Sequence, residues 1–397
     1  MESDIVITHA HRTAMGSFQG ALASKTAPEL GGHAIAAVLA NAARMNSDIA
    51  RHIDEVIMGC VLPAGLGQAP ARQAGFHGGL GDTITATTVN KMCGSGMKAV
   101  MLAHDALKAG NGMAYVAGGM ENMSLAPYLL PKARAGFRMG HGQVIDHMFM
   151  DGLEDAYEKG RLMGAFAESC ADQYRFTREA QDAFALESLA RAKAAIESGA
   201  FKDEIVSVSI KTRKGATEID TDEQPGKAMP EKIPTLKPAF RADGTVTAAN
   251  ASSISDGAAA LVLMREEDAN KRGLKPLARI VGTASHARKP AEFAVAPIGA
   301  IEKVVAKAGW TEKTVDLYEI NEAFAVVTMA AMHDLGLDHA KVNIHGGACA
   351  LGHPIGASGA RILVTLLYAL AHHGKTRGVA TLCIGGGEAV AVAIERL

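Results

Sequence analysis

Apolar and polar positions along the chain alternate between two periods. Short runs rich in Val and Ile, apolar at almost every position, are separated by longer stretches in which Ala, Leu and Val recur at helical spacing. Residues 4–8 predict a strand, residues 27–43 a helix and residues 55–59 a second strand. A buried strand over 83–89, a helix over 97–108 and a strand over 112–117 that ends at Gly118-Gly119 complete this part. The rhythm is that of an α/β fold.

The C-terminal part repeats the plan. Residues 341–344 are strand-like, a helix opens at Ala357 and runs to about His372, and residues 378–384 form a strand ending in Gly385-Gly386-Gly387. Ser95-Gly96-Met97-Lys98 and Ser358-Gly359-Ala360-Arg361 hold matching places, which suggests a duplicated half. Residues 123–246 break the rhythm with Pro127, Pro131, Gly136, Gly140 and Gly142, then a charged helical stretch from about Thr177 to Ser198. Its least regular part, 218–238, carries Pro225, Pro230, Pro234 and Pro238 and reads as a surface or ligand-covering segment. The expected organisation is an N-terminal half of residues 1–122 plus 247–272, an inserted loop domain of 123–246 and a C-terminal half of 273–397.

Composition narrows the function. With 397 residues and 48% hydrophobic content the chain has ample apolar surface for more than one domain. A formal net charge of -2, from 40 Lys+Arg against 42 Asp+Glu, leaves no global field for a polyanion, so nucleic acid is not expected as a partner. No apolar run approaches the roughly 18 residues of a membrane span. The N-terminus, Met1 to Ile7, begins acidic and enters a strand without a leader-like segment. Five cysteines, at 60, 93, 170, 349 and 383, include no Cys-x-x-Cys pair, which fits reduced thiols and a cytoplasmic location.

Glycine is abundant, 43 residues, and clustered, and the clusters surround the candidate chemistry. Cys93 lies in Asn90-Lys91-Met92-Cys93-Gly94-Ser95-Gly96 between an apolar strand and a helix start, where unpaired N–H groups favour an anion and are expected to lower the thiol pKa. His353 lies in Gly352-His353-Pro354-Ile355-Gly356-Ala357-Ser358-Gly359, a titratable ring on a tightly constrained turn and a natural base for a thiol. Cys383 ends the last apolar strand, at the edge of an α/β sheet where ligands bind. Asn321, in Asn321-Glu322-Ala323-Phe324, either caps the helix that follows or holds a water near a substrate oxygen. Metal chemistry is not expected, because Cys93, Cys349, His353 and Cys383 match no compact ligand pattern. No Gly-x-Gly-x-x-Gly opens a helix with an acidic residue about twenty positions on, which argues against a dinucleotide enzyme.

Taken together and in this order, the four motifs resemble the thiolase family over nearly the whole chain. The resemblance implies a duplicated five-layered α/β/α/β/α core with an inserted loop domain, in a homotetramer. It implies an acetyl-CoA C-acetyltransferase that reversibly condenses two acetyl-CoA to acetoacetyl-CoA through an acyl-cysteine. A degradative 3-ketoacyl-CoA thiolase of broader chain length is the alternative. Substrates would be coenzyme A thioesters, with no prosthetic group. Carried over by motif, Cys93 is the acylated nucleophile, His353 its base, and Cys383 the acid/base at the substrate α-carbon. Asn321 holds a water that stabilises the enolate oxygen with His353, and the N–H groups of Cys93 and Gly385 form the oxyanion hole. Ser252 matches a serine near the pantetheine, and Leu153, Met163, Phe240 and Phe324 match apolar lining positions. A decarboxylating ketoacyl synthase would place a second histidine where this chain has Cys383. Three departures stand out: Asp222 to Gly226 lacks the arginine often found beside the adenine, Leu162 replaces a frequent histidine, and Phe293 stands where many short-chain members carry methionine. They leave the nucleotide contacts and the preferred acyl chain open.

Overall fold

The computed structural model describes residues 4–213 and 215–397, so Met1 to Ser3 lie outside the described residues. In the N-terminal half the elements are β1 (Ile5–Thr13), α1 (Ala27–Ala43), β2 (Ile53–Gly59), α2 (Pro70–His77), β3 (Thr85–Val89), α3 (Ser95–Lys108) and β4 (Ala114–Asn122). Two helices, α4 (Met163–Tyr174) and α5 (Arg178–Ser198), belong to the middle segment, and β5 (Ser255–Arg265) returns the chain to the first sheet. The last part comprises β6 (Ala278–Ala287), α6 (Ala296–Lys307), β7 (Leu317–Ile320), α7 (Ala325–Leu335), α8 (Ile355–His372), β8 (Arg377–Ile384) and β9 (Glu388–Arg396).

The main strands run β7-β8-β9-β6 and then β1-β5-β4-β2-β3. The two groups meet where Val6 and Ile7 of β1 lie opposite Arg279 and Ala278 of β6. Helices α3 and α8 pack against each other and against both groups, α1 and α2 cover the outer face of the first, and α6 and α7 that of the second. This is the five-layered α/β/α/β/α order. Position in the layers explains composition. Residues 355–367 of α8 are all buried, because a helix with sheets on both sides has no face left for water. It is long and apolar enough to cross a membrane, yet it is this central core helix.

Local chemistry sets the element ends. Thr26 and Glu29 form a reciprocal capping box at the start of α1, and Thr177 caps α5, whose end is turned by Gly199 at φ +77°. Three expectations are corrected. The strand predicted at 112–117 continues through Gly118-Gly119 to Asn122. Those glycines mark close approach rather than an end, since a Cβ at Gly119 would lie 2.1 Å from the carbonyl oxygen of Gly356. Residues 85–89 form a half-exposed edge strand instead of a buried one. Residues 341–344 form no strand: Val342 makes a single bridge to Tyr318, and Asn343 sits at φ +47°. The Asn343 amide donates to the Ile320 carbonyl and accepts from the Ile320 N–H, both at 2.8 Å, replacing the strand with a side chain.

Candidate active site

Cys93 follows a backbone residue in a costly conformation. Met92, immediately before it, has φ +48°, a region that costs a non-glycine residue roughly 1–3 kcal/mol. Side chains on both flanks hold the turn. The Asn90 Oδ1 accepts from Met92 N at 2.9 Å, while the Ser95 Oγ accepts from Lys91 N at 2.8 Å and donates to the Met92 carbonyl at 2.6 Å. Cys93 therefore projects from a rigid turn at the start of α3. The backbone N–H groups of Cys93 itself and of Gly385, the latter from the other half of the molecule, act on its sulfur to favour the thiolate. The expected low pKa is corrected: burial pushes the thiol up to about 11, and the two amides only partly oppose this. Cys93 rests as a neutral thiol.

His353 is buried on the turn before α8, its N–H bonded to the Ser253 carbonyl at 3.1 Å. Its Nδ1 lies 2.5 Å from the Ser358 Oγ, and that hydroxyl donates its one proton to the Pro354 carbonyl at 2.9 Å. The hydroxyl can therefore only accept from the ring. The network assigns the proton to Nδ1 and leaves Nε2 with a bare lone pair, buried and without a protein partner. Burial, then the charge of Arg361, lowers the imidazole pKa to about 3, so the ring is neutral. Ile355, two residues on, packs in one apolar cluster with Cys93, Met92 and Leu153.

Cys383 arrives on β8, fully buried, and its thiol is raised well above the usual range by burial and by Cys93. The turn after it needs glycine, with Gly386 and Gly387 at φ +93° and +88°. Asn321 follows β7, its N–H bonded to the Thr381 carbonyl of β8 at 3.0 Å, two residues before Cys383. It does not cap α7, whose N-cap is Phe324. Both polar atoms of the Asn321 amide are buried without a protein partner. A buried amide left so costs about 1–3 kcal/mol, which makes its side chain available for a water or a substrate oxygen.

The expected lining residues fall in two clusters, Leu153 with Cys93 and Ile355, and Phe324, Met163 and Phe240 with Cys383. Phe324 shares an apolar cluster with Cys383 and Phe293, and Met163 and Phe240 pack against it. Ser252, half-buried, bonds through its N–H to the Ala323 carbonyl at 3.0 Å. Phe293 is a wall of this cluster, edge-on to Phe166 at 6.4 Å and to Phe324 at 6.3 Å. Beyond Phe240 opens a cavity of about 440 Å³ lined also by Lys159, Arg161 and Leu162. Met163, next in the chain after Leu162, approaches the centre: a Cβ at Gly385 would touch its sulfur at 3.5 Å.

Comparison with known proteins decides the family. Residues 5–267 match the thiolase N-terminal domain and residues 274–396 the thiolase C-terminal domain. The chain belongs to the thiolase family. This thiolase is 54% identical over 394 residues to the acetyl-CoA acetyltransferase of Escherichia coli, with 99% of each chain covered. It is 51% identical over 395 residues to the acetyl-CoA acetyltransferase of Pseudomonas aeruginosa, again over 99% of each. A crystal structure of the Bacillus anthracis acetyl-CoA acetyltransferase superposes with a TM-score of 0.95 at 43% identity, covering 100% of this chain and 99% of that one. As a thiolase the protein is an acyltransferase acting on coenzyme A thioesters without a prosthetic group.

Sequence reading did not single out Ser358 as the partner of His353, nor Glu121 beneath the site. Ser358 lies five residues after the histidine on the first turn of α8, a spacing that becomes meaningful only once the turn is known to fold back. Glu121 stood in the sequence as a carboxylate following an apolar strand, the one available signal.

Proposed function

We propose that this thiolase is an acetyl-CoA C-acetyltransferase that joins two acetyl-CoA into acetoacetyl-CoA and coenzyme A, and runs the reverse thiolysis. The observation that carries the reading is His353, neutral and protonated on Nδ1 with Nε2 left unpartnered, two residues before Ile355, which packs with Cys93, whose thiol also feels the backbone N–H of Gly385 from the other half. In this reading Nε2 of His353 takes the Cys93 proton as sulfur attacks the thioester carbonyl. The N–H groups of Cys93 and Gly385 receive the resulting oxyanion. Coenzyme A leaves as its thiol by taking the proton of Cys383, whose raised pKa then makes it a strong base for the α-carbon of the second acetyl-CoA. The enolate oxygen is met by protonated His353 and a water on Asn321. Its carbon attacks the acetyl group, the C–S bond to Cys93 breaks, and His353 returns the proton.

Pantetheine would run past Ser252, Leu153, Met163, Phe240 and Phe324 to the cavity lined by Lys159 and by Arg161, which is paired with Glu158 at 2.7 Å. The wall formed by Phe293 favours a short acyl group over the longer chains of a degradative thiolase. We assign the three-part division of residues 1–122 plus 247–272, 123–246 and 273–397, a homotetramer, and a cytoplasmic location. The tetramer reading is supported by the open edge of β3 and by exposed Tyr128, Leu130, Met139 and Val144.

Mass spectrometry of quenched enzyme tests the mechanism: acetyl-CoA alone should label Cys93. Cys383→Ala should still be labelled yet lose carbon–carbon bond formation, and near-normal condensation by that variant would refute the two-cysteine scheme. Thiolysis rates across 3-ketoacyl-CoA lengths should be highest for acetoacetyl-CoA; a maximum at longer chains would favour the degradative alternative.

A further inference from the structure

At the end of β4, directly beneath the candidate site, lies a carboxylate that the reaction above does not use. Glu121 is fully buried. Its Oε2 accepts from the N–H of Val61 at 2.9 Å and from that of Gly356 at 2.9 Å, and its Oε1 from the N–H of Leu62 at 3.1 Å. The thiol of Cys60 faces the same Oε1 at 3.7 Å. Val61 and Leu62 belong to the loop after β2 and pack with Met92 and Cys93. Gly356 is the second residue of α8, three after His353, and α8 has no side-chain cap of its own. The first N–H groups of a helix have no partner within it. One side chain of the first half thus caps the helix that follows the His353 turn in the second half, while also holding the loop against which Cys93 packs.

We propose that Glu121 is a positioning residue for acyl transfer, whose carboxylate clamps the Cys93 side of the site to the His353 turn. The proposal rests on Cys93 and His353 being the reacting pair. Three converging N–H donors require an acceptor with two oxygens. Glutamine keeps the size but must turn its NH2 toward at least one of those donors, so it cannot complete the clamp. A misplacement near 1 Å is worth about a hundredfold in rate.

The clamp has its own pH signature. Burial raises Glu121 to about 7, against the pull of the three N–H groups. Below that pH a proton on the carboxyl must confront one of the donors, so acylation of Cys93 should slow. The titratable groups facing it are Cys60 and Cys93, both raised, and with His353 near 3 and Cys93 near 11 neither member of the reacting pair titrates around 7. A purely electrostatic role has the opposite sign, because the negative charge of Glu121 repels the Cys93 thiolate.

The test is single-turnover acetylation of Cys93 by acetyl-CoA from pH 5.5 to 9, in the wild-type enzyme and in Glu121→Gln. The wild type should lose rate below about pH 7, and Glu121→Gln should be some 10–100-fold slower at pH 8 in the maximal rate, with little change in half-saturating acetyl-CoA and no limb near 7. A variant within twofold of wild type, a faster variant, or a loss confined to substrate affinity overturns the proposal. So does a wild-type profile flat from pH 6 to 8, a result that needs no variant to fold. Peptide mapping separates the two readings: acetyl on a residue other than Cys93 refutes the reacting pair, whereas normal labelling of Cys93 at full speed in Glu121→Gln refutes only the clamp.

Discussion

Cys93 and His353, the proposed reacting pair, are both neutral at rest, and burial is the reason for both. Removing a thiol from water disfavours the thiolate, and removing an imidazole disfavours the imidazolium, so their pKa values move apart, to about 11 and about 3. In the proposed reaction, proton transfer at rest is uphill and becomes favourable only as charge moves onto the substrate oxygen, where the amides of Cys93 and Gly385 would meet it. A resting ion pair would instead give a reactive thiolate near neutral pH. Alkylation of Cys93 by iodoacetamide without substrate should therefore keep accelerating from pH 7 to pH 10. A plateau reached below pH 8 would show a preformed thiolate. Lowered toward the usual range, the same cysteine would be exposed to oxidants whether or not acetyl-CoA was bound.

Among the elements, the short hairpin of Tyr128–Leu129 with Ile145–Asp146 is the least explained by its own chain. The loop it closes presents Met139 at 97% exposure and Val144 at 64%, and neither belongs to a core cluster. Apolar side chains so exposed add nothing to folding of one chain, but their transfer into an interface is worth roughly 25 cal/mol per Å². Changing Met139 and Val144 together to Asp should reduce the proposed tetramer to smaller species in light scattering, with the thermal midpoint of the remaining species little altered. An unchanged mass would place the interface elsewhere. The edge strand β3 offers a second surface, and loss of the hairpin contact should leave it able to pair.

For the whole molecule, one buried charge cluster joins parts far apart in sequence. Arg12 on β1 donates to Glu204 at 2.5 Å and to both oxygens of Asp222 at 2.7 and 2.9 Å, with all three side chains closed to solvent. Thr365 of α8 donates to the same Glu204 at 3.1 Å. Burial holds the Glu204 carboxyl above its ordinary range, while Arg12 draws it down, and the guanidinium is itself held charged. Removing one partner of a buried ion pair leaves the others uncompensated, at about 3–5 kcal/mol. Arg12→Ala should lower unfolding stability by that order. Arg12→Lys should recover only part, because an ammonium cannot match the two-pronged contact with Asp222. Denaturant titration measures both, and a loss under 1 kcal/mol for Arg12→Ala would show that the raised Glu204 carboxyl is relieved by protonation instead.

Local order was legible in the sequence wherever a short-range rule decides it. The helix over Ala27–Ala43 follows from period and capping box, and the start of the helix after Cys93 and the glycine turn after Cys383 follow from residue type. The motif set was enough to anticipate the family, and it singled out Cys93, His353, Cys383 and Asn321 as the candidate site. What sequence could not decide depends on partners brought from afar. The Asn343 side chain replaces a predicted strand because Ile320 lies beside it, and Gly118-Gly119 continue a strand because α8 crosses them. The tautomer of His353 depends on a hydroxyl that is itself committed to Pro354. The pKa of Cys93 depends on how far the folded chain withdraws a half-buried thiol from water, and this desolvation outweighs the backbone N–H groups that favour the thiolate.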